Sequence, residues 1–256
     1  DDLGNRPTER GNGMVEHVTS HLVSFGGGLC DHFSGQQIQI ALAAVQQIGL
    51  QLAERGFVVI CPRNFLWQDV SDYREAVARF RKRYPHTLGM HKMLYDSQRA
   101  VDILAGLPEV DAGRIGATGH SLGGKETLYL AAFDERIAAS VASEGGVGFR
   151  FTNWNAPWYL GKGIDDETFP LNHHQLLALA APRPFLVLAG ENTTPQASDG
   201  DRTWPLLEAA LPAWRLYGDR PRLGMYNHRQ GHAIPPKAFS RMHQWLATYL
   251  RPRGTV

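Results

Sequence analysis

A serine lies inside a Gly-x-Ser-x-Gly pattern, Gly119–Gly123, at the point where a predicted strand turns into a predicted helix. The strand covers Arg114–Thr118, and the apolar residues after the pattern continue as a helix. Glycines have no Cβ, so the backbone there can turn sharply and lift the hydroxyl of Ser121 above the sheet at a helix N-terminus. This setting is typical of a nucleophile elbow, and it predicts Ser121 as a nucleophile.

A serine hydroxyl is a weak nucleophile, so an imidazole base must stand within hydrogen-bond reach of it. Among eleven histidines, His232 follows the last predicted strand and precedes the terminal helix, where a base belongs in the chain order serine, acid, histidine. His228, four residues earlier, is the second candidate. His120 adjoins the nucleophile, and we expect it to pack or to line the pocket. The histidines expected to be solvated or helix-capping residues are His86, His91, His173 and His174.

Two predicted strand ends offer a carboxylate that could orient the imidazole. Glu144 follows the strand Ile137–Ser143 in front of two glycines, where a charge has no obvious structural purpose. Glu191 follows the next strand, Phe185–Ala189, which is the usual position of the acid, but Thr193 stands where an aspartate is usual. The sequence therefore favours Glu144. The carboxylates that stay open as alternatives are Glu191, Asp199 and Asp201.

The negative oxygen of an acyl-transfer intermediate needs backbone N–H donors close to the nucleophile. One donor is expected from Leu122, the residue after the serine. The second is expected from the loop that follows the first predicted strand, Gly28–His32, with His32 or Phe33 as the donor and Phe33 as the assignment we carry forward. Such a site needs no cofactor, and no His, Cys, Asp or Glu cluster has metal-ligand spacing.

Residues Gly145–His174 form an aromatic-rich stretch without clean periodicity. Irregular insertions of this length are more often functional than idle. Because the stretch directly follows Glu144, we expect it to fold over the site as a cap whose aromatic faces suit sugar or aryl rings. The residues expected to line the pocket, or to hold a hydroxyl or a carboxylate there, are Lys125, Arg150, Phe151, Trp154, Trp158, Tyr159, Trp67 and His120.

Short apolar runs alternate with amphipathic stretches, and this alternation predicts an α/β fold with a mostly parallel sheet and helices on both faces. The runs are apolar at consecutive positions, as strands covered on both faces require. The predicted strands are Gly28–His32, Phe57–Cys61, Arg114–Thr118, Ile137–Ser143, Phe185–Ala189 and Leu223–Tyr226. Apolar residues at three- and four-residue steps predict helices near residues 38–52, 73–84, 90–104 and 239–249, with Gly56 as the cap of the first.

The chain has 256 residues, with 26 Lys and Arg, 25 Asp and Glu, and two Cys. This length predicts one domain over residues 1–256, irregular over about 1–27, with a core that needs neither disulfides nor metal. The formal net charge of +1 is too small to attract nucleic acid or an anionic membrane. No stretch resembles a membrane span or a signal peptide. Compartment and oligomeric state stay open.

The elbow, the late Gly231-His232 pair before two prolines, and the strand order resemble the α/β-hydrolase superfamily over about residues 28–250. The resemblance is nearest to its dienelactone hydrolase-like and acetyl xylan esterase-like members. The stretch Gly119–Gly146 also resembles the glucuronoyl esterases, which carry their acid at the matching strand end, so this resemblance implies Glu144 as the acid. Two positions depart: dienelactone hydrolases have a cysteine in place of Ser121, and glucuronoyl esterases have an arginine in place of Leu122.

These residues together predict a serine carboxylic-ester hydrolase that forms an acyl-enzyme and acts on a small or carbohydrate-linked ester. A peptidase or thioesterase on the same three residues is the alternative enzyme, because the acyl chemistry is shared. An inactive hydrolase fold serving as a binding protein is the alternative from another class. A nucleophile, a base and candidate acids at suitable positions disfavour it.

Overall fold

The computed structural model describes residues 20–25, 48–67, 70, 72–191, 198, 200–218 and 222–250. Within these ranges every paired strand runs parallel to its neighbours, in the spatial order β2-β1-β3-β4-β5-β6, which confirms the predicted α/β class. The strands are β1 (Ser20–Phe25), β2 (Phe57–Ile60), β3 (Ile115–His120), β4 (Ile137–Ser143), β5 (Phe185–Ala189) and β6 (Leu223–Asn227).

Helices cover both faces of this sheet. On β5, Phe185 and Val187 pack in one apolar cluster with helices α2 to α6, whereas Leu186 and Leu188 pack in another with α1 and α7. Consecutive residues of β5 are apolar because each face of the strand is buried. The helices are α1 (described over residues 48–53), α2 (Tyr73–Arg83), α3 (Gly89–Ala105), α4 (Leu122–Phe133), α5 (His173–Ala180), α6 (Gly200–Arg215) and α7 (Pro236–Tyr249).

Local side-chain chemistry fixes the ends of several helices. Gly56 has a φ of 87° just beyond α1, the left-handed conformation of the glycine cap that the sequence predicts. The side chain of Asp72 accepts a hydrogen bond from the N–H of Arg74 at the start of α2. Asn172 and Gln175 form a reciprocal capping box at the start of α5. These caps fix where each helix begins or ends relative to the sheet.

The expectation that about residues 1–27 are irregular is wrong for Ser20–Phe25, which forms strand β1. This strand pairs with both β2 and β3, so it lies inside the sheet and not at its edge. Its polar residues at 20, 21 and 24 interrupt the apolar run that usually marks a buried strand. The predicted strand Gly28–His32 lies outside the described residues.

The sequence analysis did not predict helices α5 and α6. Helix α6 contains Pro205 and Pro212, a residue type that disfavours helix interiors and so hides the helix from a propensity argument. Burial of Leu207, Ala210 and Trp214 against the core provides the tertiary packing that outweighs local propensity. The aromatic segment, residues 145–174, is built from turns, a 3-10 turn at Lys162–Asp165 and the first residues of α5.

Candidate active site

Strand β3 and helix α4 meet at Ser121, whose backbone has φ 59° and ψ −116°. This conformation is rare for a residue with a Cβ, so the surrounding structure must hold it. The N–H of Ser121 donates to the carbonyl oxygen of Ser143 at 2.8 Å. A Cβ at Gly119 would lie 2.5 Å from the backbone of Gly123. The Gly-x-Ser-x-Gly spacing is therefore a steric requirement of this elbow.

The first turn of α4 touches the segment after β4 backbone to backbone. A Cβ at Gly124 would lie 2.5 Å from the carbonyl oxygen of Ser143, and a Cβ at Gly145 would lie 2.8 Å from the carbonyl carbon of Gly124. No side chain fits between the two segments. This contact places Ser121 and Glu144 at neighbouring points on the carboxyl edge of the sheet.

His232 lies in the loop between β6 and α7, and its Nε2 is 2.9 Å from the Oγ of Ser121. A hydroxyl that donates to Nε2 of a neutral imidazole requires the ring proton to be on Nδ1. The His232 side chain is 25% exposed, whereas Ser121 is buried. The structure thus brings the predicted nucleophile and the predicted base into hydrogen-bond contact.

Glu144 follows β4 with a φ of 53°, and its N–H donates to the carbonyl oxygen of Leu188 on β5. Its carboxylate is buried, with Oε2 at 3.6 Å from Nδ1 of His232 and Oε1 at 2.8 Å from Nε2 of His228. The hydroxyl of Ser198 donates to Oε2. The carboxylate therefore faces two imidazoles and a hydroxyl; the hydroxyl donates a hydrogen bond to Oε2, whereas the 2.8 Å contact of Oε1 with His228 lacks hydrogen-bond alignment.

The carboxylates that the sequence left open have other surroundings. Glu191, after β5, accepts a hydrogen bond from the side-chain amide of Asn227 at the end of β6. Asp201 is exposed in the first turn of α6, and Asp199 lies outside the described residues. The carboxylate that the structure brings to Nδ1 of His232 is that of Glu144.

His120 lies at the end of β3 beside the base. Its Nδ1 is 3.2 Å from the Oγ of Ser143, and its ring centroid is 4.7 Å from that of His232. Burial, followed by the neighbouring imidazoles of His232 and His228, holds the pKa of His120 well below its ordinary value. A neutral His120 adds no positive charge beside the base, in line with the expected packing role.

One of the predicted oxyanion donors lies among the described residues, and the candidates for the other lie outside them. Leu122 is the first residue of α4, and the N–H groups of a first helical turn have no acceptor within the helix. The positive end of the helix dipole lies at the same point, which favours a developing negative charge. His32 and Phe33 lie outside the described residues.

Trp154 and Lys125 have positions that differ from the predicted pocket walls. Trp154 is fully buried, and its Nε1 donates to the carbonyl oxygen of Gly146 at 2.8 Å. Lys125 is also buried; its Nζ donates to the carbonyl oxygen of Gly145 at 2.6 Å and lies 3.8 Å from the centroid of the Trp154 ring. The structure assigns both side chains to the packing beneath the aromatic segment, because a buried ammonium requires carbonyl and ring partners.

The other predicted pocket residues belong to the same segment or lie near it. Phe151 and Tyr159 are buried in the core, and Trp158 is half-buried with its ring against an aromatic ring of α2. Arg150 is exposed and donates to two backbone carbonyls close to the 3-10 turn. Trp67, also half-buried, closes a 3-10 turn after β2. We find no direct contact between these five side chains and Ser121 among the described interactions.

The expectation that His173 is solvated is wrong. His173 is fully buried, its Nδ1 accepts a hydrogen bond from the N–H of Gly148 at 2.9 Å, and its Nε2 is 3.5 Å from the hydroxyl of Tyr129. Burial, and then the charge of Lys125, holds the pKa of His173 well below its ordinary value. The Asn172 capping box is the sequence signal that places this histidine at a helix start.

Glu126, on the first turns of α4, is a second buried ionisable group that sequence reasoning missed. Its Oε1 accepts a hydrogen bond from the side-chain amide of Asn64 at 2.7 Å. Burial raises the pKa of Glu126 to about 8, although the Asn64 hydrogen bond opposes the shift. Asn64 also accepts from the N–H of Leu66, so Glu126 links α4 to the loop after β2.

Two further properties follow from the described part of the chain. No helix there has the length and apolar composition needed to cross a bilayer. Across the same residues, His, Cys, Asp and Glu side chains form no group of three that could hold a metal ion.

The parallel sheet, the strained elbow after β3 and the imidazole from the loop after β6 define an α/β-hydrolase fold. The model of the dienelactone hydrolase family matches residues 33–182, more than half of the chain. The chain belongs to the dienelactone hydrolase family.

Relatives with similar sequences include proteins named 4-O-methyl-glucuronoyl methylesterases. A 4-O-methyl-glucuronoyl methylesterase of Hypocrea jecorina is 27% identical over 203 residues, covering 66% of this chain and 43% of that protein. A second, from Sodiomyces alcalophilus, is 27% identical and covers 49% of this chain and 30% of that protein. The chain thus spans less than half the length of these curated relatives.

The fold similarity extends over nearly the whole chain. A glucuronoyl esterase of carbohydrate esterase family 15 from Teredinibacter turnerae has a TM-score of 0.68 at 21% identity, covering 90% of this chain and 66% of its own. A glucuronoyl esterase of the same family from Caldicellulosiruptor kristjansonii has a TM-score of 0.66 at 22% identity, covering 93% and 72%. At this identity the likeness establishes the fold.

Proposed function

We propose that this chain is a serine carboxylic-ester hydrolase that acts through an acyl-enzyme. The observation that carries the proposal is the 2.9 Å contact between the Oγ of Ser121 and Nε2 of His232, made at an elbow whose serine has a positive φ. Strain of this kind persists only where the surroundings hold it, and it is concentrated at functional sites. The buried carboxylate of Glu144 on the far side of the imidazole completes the arrangement.

In this proposal, the Oγ of Ser121 attacks the ester carbonyl while Nε2 of His232 takes its proton. Glu144 stabilises the imidazolium that forms, and the N–H of Leu122 donates to the oxyanion. Removal of one such donor typically costs about 3–4 kcal/mol of transition-state stabilisation. The imidazolium then protonates the leaving alcohol, and water repeats the sequence to release the acid. Nucleophile, base and acid come from the chain, so the reaction needs no metal and no cofactor.

We further propose that the substrate is a carbohydrate-linked ester, such as a sugar acetate or the methyl ester of a uronic acid. Support comes from the names of the relatives, which are glucuronoyl methylesterases, and from fold similarity to glucuronoyl esterases. Leu122 stands where those esterases have an arginine, so the proposal extends to carbohydrate esters as a class and not to one uronate.

A fluorophosphonate probe and a substrate panel test the proposal together. We expect the probe to label Ser121, and the Ser121→Ala variant to stay unlabelled. The panel compares p-nitrophenyl acetate, acetylated xylan and methyl glucuronate with a peptide amide and a thioester. Faster hydrolysis of the esters supports the proposal. Absence of labelling would indicate an inactive scaffold, and preference for the peptide or thioester would replace the ester assignment.

The pH dependence supplies a separate test of the base. His232 must be unprotonated to accept the serine proton, so kcat/KM should rise with pH through an apparent pKa near neutrality. A profile that stays flat from about pH 5 to pH 8 on an activated ester would contradict an imidazole base.

A further inference from the structure

His228 is a second imidazole on the buried carboxylate. It follows β6 directly, and its N–H donates to the carbonyl oxygen of Ala189 at 2.8 Å, so the sheet itself fixes its position. Its side chain is 0% exposed, and its Nε2 lies 2.8 Å from Oε1 of Glu144. This distance is shorter than the 3.6 Å that separates Glu144 from His232. The closest imidazole to the carboxylate is therefore one that does not touch Ser121.

The hydrogen bonds of His228 define its tautomer. The N–H of Gln230 donates to Nδ1 of His228 at 3.2 Å, so Nδ1 is an acceptor and carries no proton. A neutral ring then carries its proton on Nε2, which is the atom that contacts Glu144. Nε2 and Oε1 are 2.8 Å apart without the alignment of a hydrogen bond, so this contact is electrostatic, and the buried ring has no access to a substrate.

The two oxygens of Glu144 have different partners. Oε1 faces His228, whereas Oε2 accepts from Ser198 and faces Nδ1 of His232. If Oε1 lost its partner, the carboxylate could rotate about its last bond, and Oε2 would leave the position that orients the base.

We propose that His228 is a positioning residue: it holds Oε1 of Glu144, keeps Oε2 directed at His232, and moderates the charge that Glu144 presents to the base. The inference rests on the hydrolase function proposed above. The ionisable groups in contact with His232 or with its carboxylate partner include His120 at the end of β3, Glu144 after β4 and His228 after β6. Glu191 is held by Asn227, and His120 is neutral, so Glu144 is the charge that His228 modifies.

The sign of the effect follows from this charge. The Nε2–H edge of His228, which lies 2.8 Å from Oε1, carries a partial positive charge that weakens the attraction of Glu144 for the proton on His232. Without that donor, an ionised Glu144 stabilises the imidazolium more strongly. The apparent pKa of the base should then rise, while misorientation of the ring lowers turnover.

The test compares His228→Leu, which keeps the bulk but has no donor, with His228→Gln, whose side-chain amide can donate in place of Nε2. We expect His228→Leu to lower kcat by about 10- to 100-fold with little change in KM, and to move the acidic limb of the pH profile upward by about half to one pH unit. His228→Gln should restore most of kcat and the original midpoint. The exposed His91, changed to Leu in the same way, should alter neither quantity.

Circular dichroism and thermal melts first establish that each variant is folded. An unchanged pH midpoint and kcat in folded His228→Leu would overturn the inference, as would equal impairment of the Leu and Gln variants, which indicates a packing role. If His228→Leu does not fold, the folded Gln variant and wild type are compared by ¹⁵N NMR of the imidazoles. A proton on Nδ1 of His228 in the wild type, or a titration of His232 in the Gln variant that differs from that in the wild type, would then contradict the proposal.

The same NMR titration separates this inference from the proposed function. It needs no substrate, so a His228-dependent midpoint of His232 in a protein that hydrolyses no ester would leave the coupling intact and overturn the hydrolase assignment. Ester hydrolysis that depends on Ser121, with no effect of His228→Leu, would support the hydrolase assignment and overturn the role of His228.

Discussion

Two regions of this molecule each bury a histidine, and the two sites differ in one partner. At the carboxyl edge of the sheet, Nδ1 of His228 accepts a backbone N–H and Nε2 lies 2.8 Å from the carboxylate of Glu144. In the aromatic segment, Nδ1 of His173 also accepts a backbone N–H, but Nε2 lies 3.5 Å from the hydroxyl of Tyr129. The same residue type, burial and acceptor pattern therefore occur in both regions.

The surroundings decide what each histidine can do. The ring of His173 lies 4.1 Å from that of Phe149 and 4.2 Å from that of Trp154, and its pKa is held well below the ordinary value, so it is a neutral filler of an apolar core. His228 instead lies against the side chain of Glu144, which itself contacts the base. Burial alone therefore does not indicate whether a histidine has a functional role; the group that contacts its Nε2 does.

Substitution of the nucleophile or the base should have the largest effect on turnover. We expect Ser121→Ala and His232→Ala each to reduce kcat by about 10⁴- to 10⁶-fold, because residues of a triad act as a unit. Circular dichroism should be unchanged. Retention of more than a few per cent of the activity by either purified variant would contradict the assignment.

The carboxylates give the next contrast. Glu144→Gln keeps the shape of the side chain but removes the charge that stabilises the imidazolium, and should reduce kcat by about 10²- to 10⁴-fold. Glu191→Gln should change kcat little, because Glu191 is paired with Asn227. Steady-state kinetics of the two variants, measured side by side, identifies the acid. An inactive Glu191→Gln together with an active Glu144→Gln would assign the acid to Glu191.

The buried histidine of the aromatic segment should affect stability and leave the chemistry of the base unchanged. His173→Leu leaves the N–H of Gly148 without an acceptor, at a cost of about 1–3 kcal/mol in the free energy of unfolding. Urea denaturation measures that loss, with the exposed His86→Leu as the control. The pH midpoint of kcat/KM should be that of the wild type. A shift like that expected for His228→Leu would show that His173 also influences the base.

Substitution of Glu126 should have the smallest effect, and it should raise stability where His173→Leu lowers it. Its pKa of about 8 lies above the ordinary 4.5, so the folded chain keeps a proton that the unfolded chain releases. The stability from this group is complete below about pH 4.5 and is lost as pH rises toward 8. Glu126→Gln removes this penalty and should raise Tm at pH 8 by a few degrees, since about 1 kcal/mol moves Tm by 2–4 °C at this size.

Thermal melts at two pH values check that expectation. The advantage of Glu126→Gln should disappear near pH 4.5, where both states of the wild type hold the proton. An advantage of equal size at both pH values would indicate a packing effect without proton linkage.

The sequence placed the candidate nucleophile, base and acid at strand ends because a parallel sheet gathers the carboxyl ends of its strands at one edge. Ser121 carried the strongest local signal, since the elbow requires glycines at fixed spacing. The approach of Glu144 to His232 follows from the order of the parallel strands in the structure; the alternation of elements predicts the parallel sheet. Strand β1 escaped prediction because polar residues interrupt its apolar run.

The contacts that escaped prediction depend on loops and on tertiary packing. Ser198 and His228 reach Glu144 from the loops after β5 and β6, whose conformations no local pattern encodes. The burial of Trp154 and Lys125 depends on how the aromatic segment folds onto α4. A dense group of aromatic residues indicates either a pocket wall or a core, and only the three-dimensional packing separates the two.

The backbone contact between Gly124 and Gly145 sets a boundary for recombination among related hydrolases. A chimera that receives the aromatic segment of a relative can join it after Gly146 and keep this contact. A junction that replaces Gly145 with any other residue introduces a Cβ 2.8 Å from the carbonyl carbon of Gly124 and displaces the turn that carries Ser121. A graft of this segment is therefore compatible with the elbow only downstream of the glycine pair, because upstream of it the graft and the nucleophile share one backbone contact.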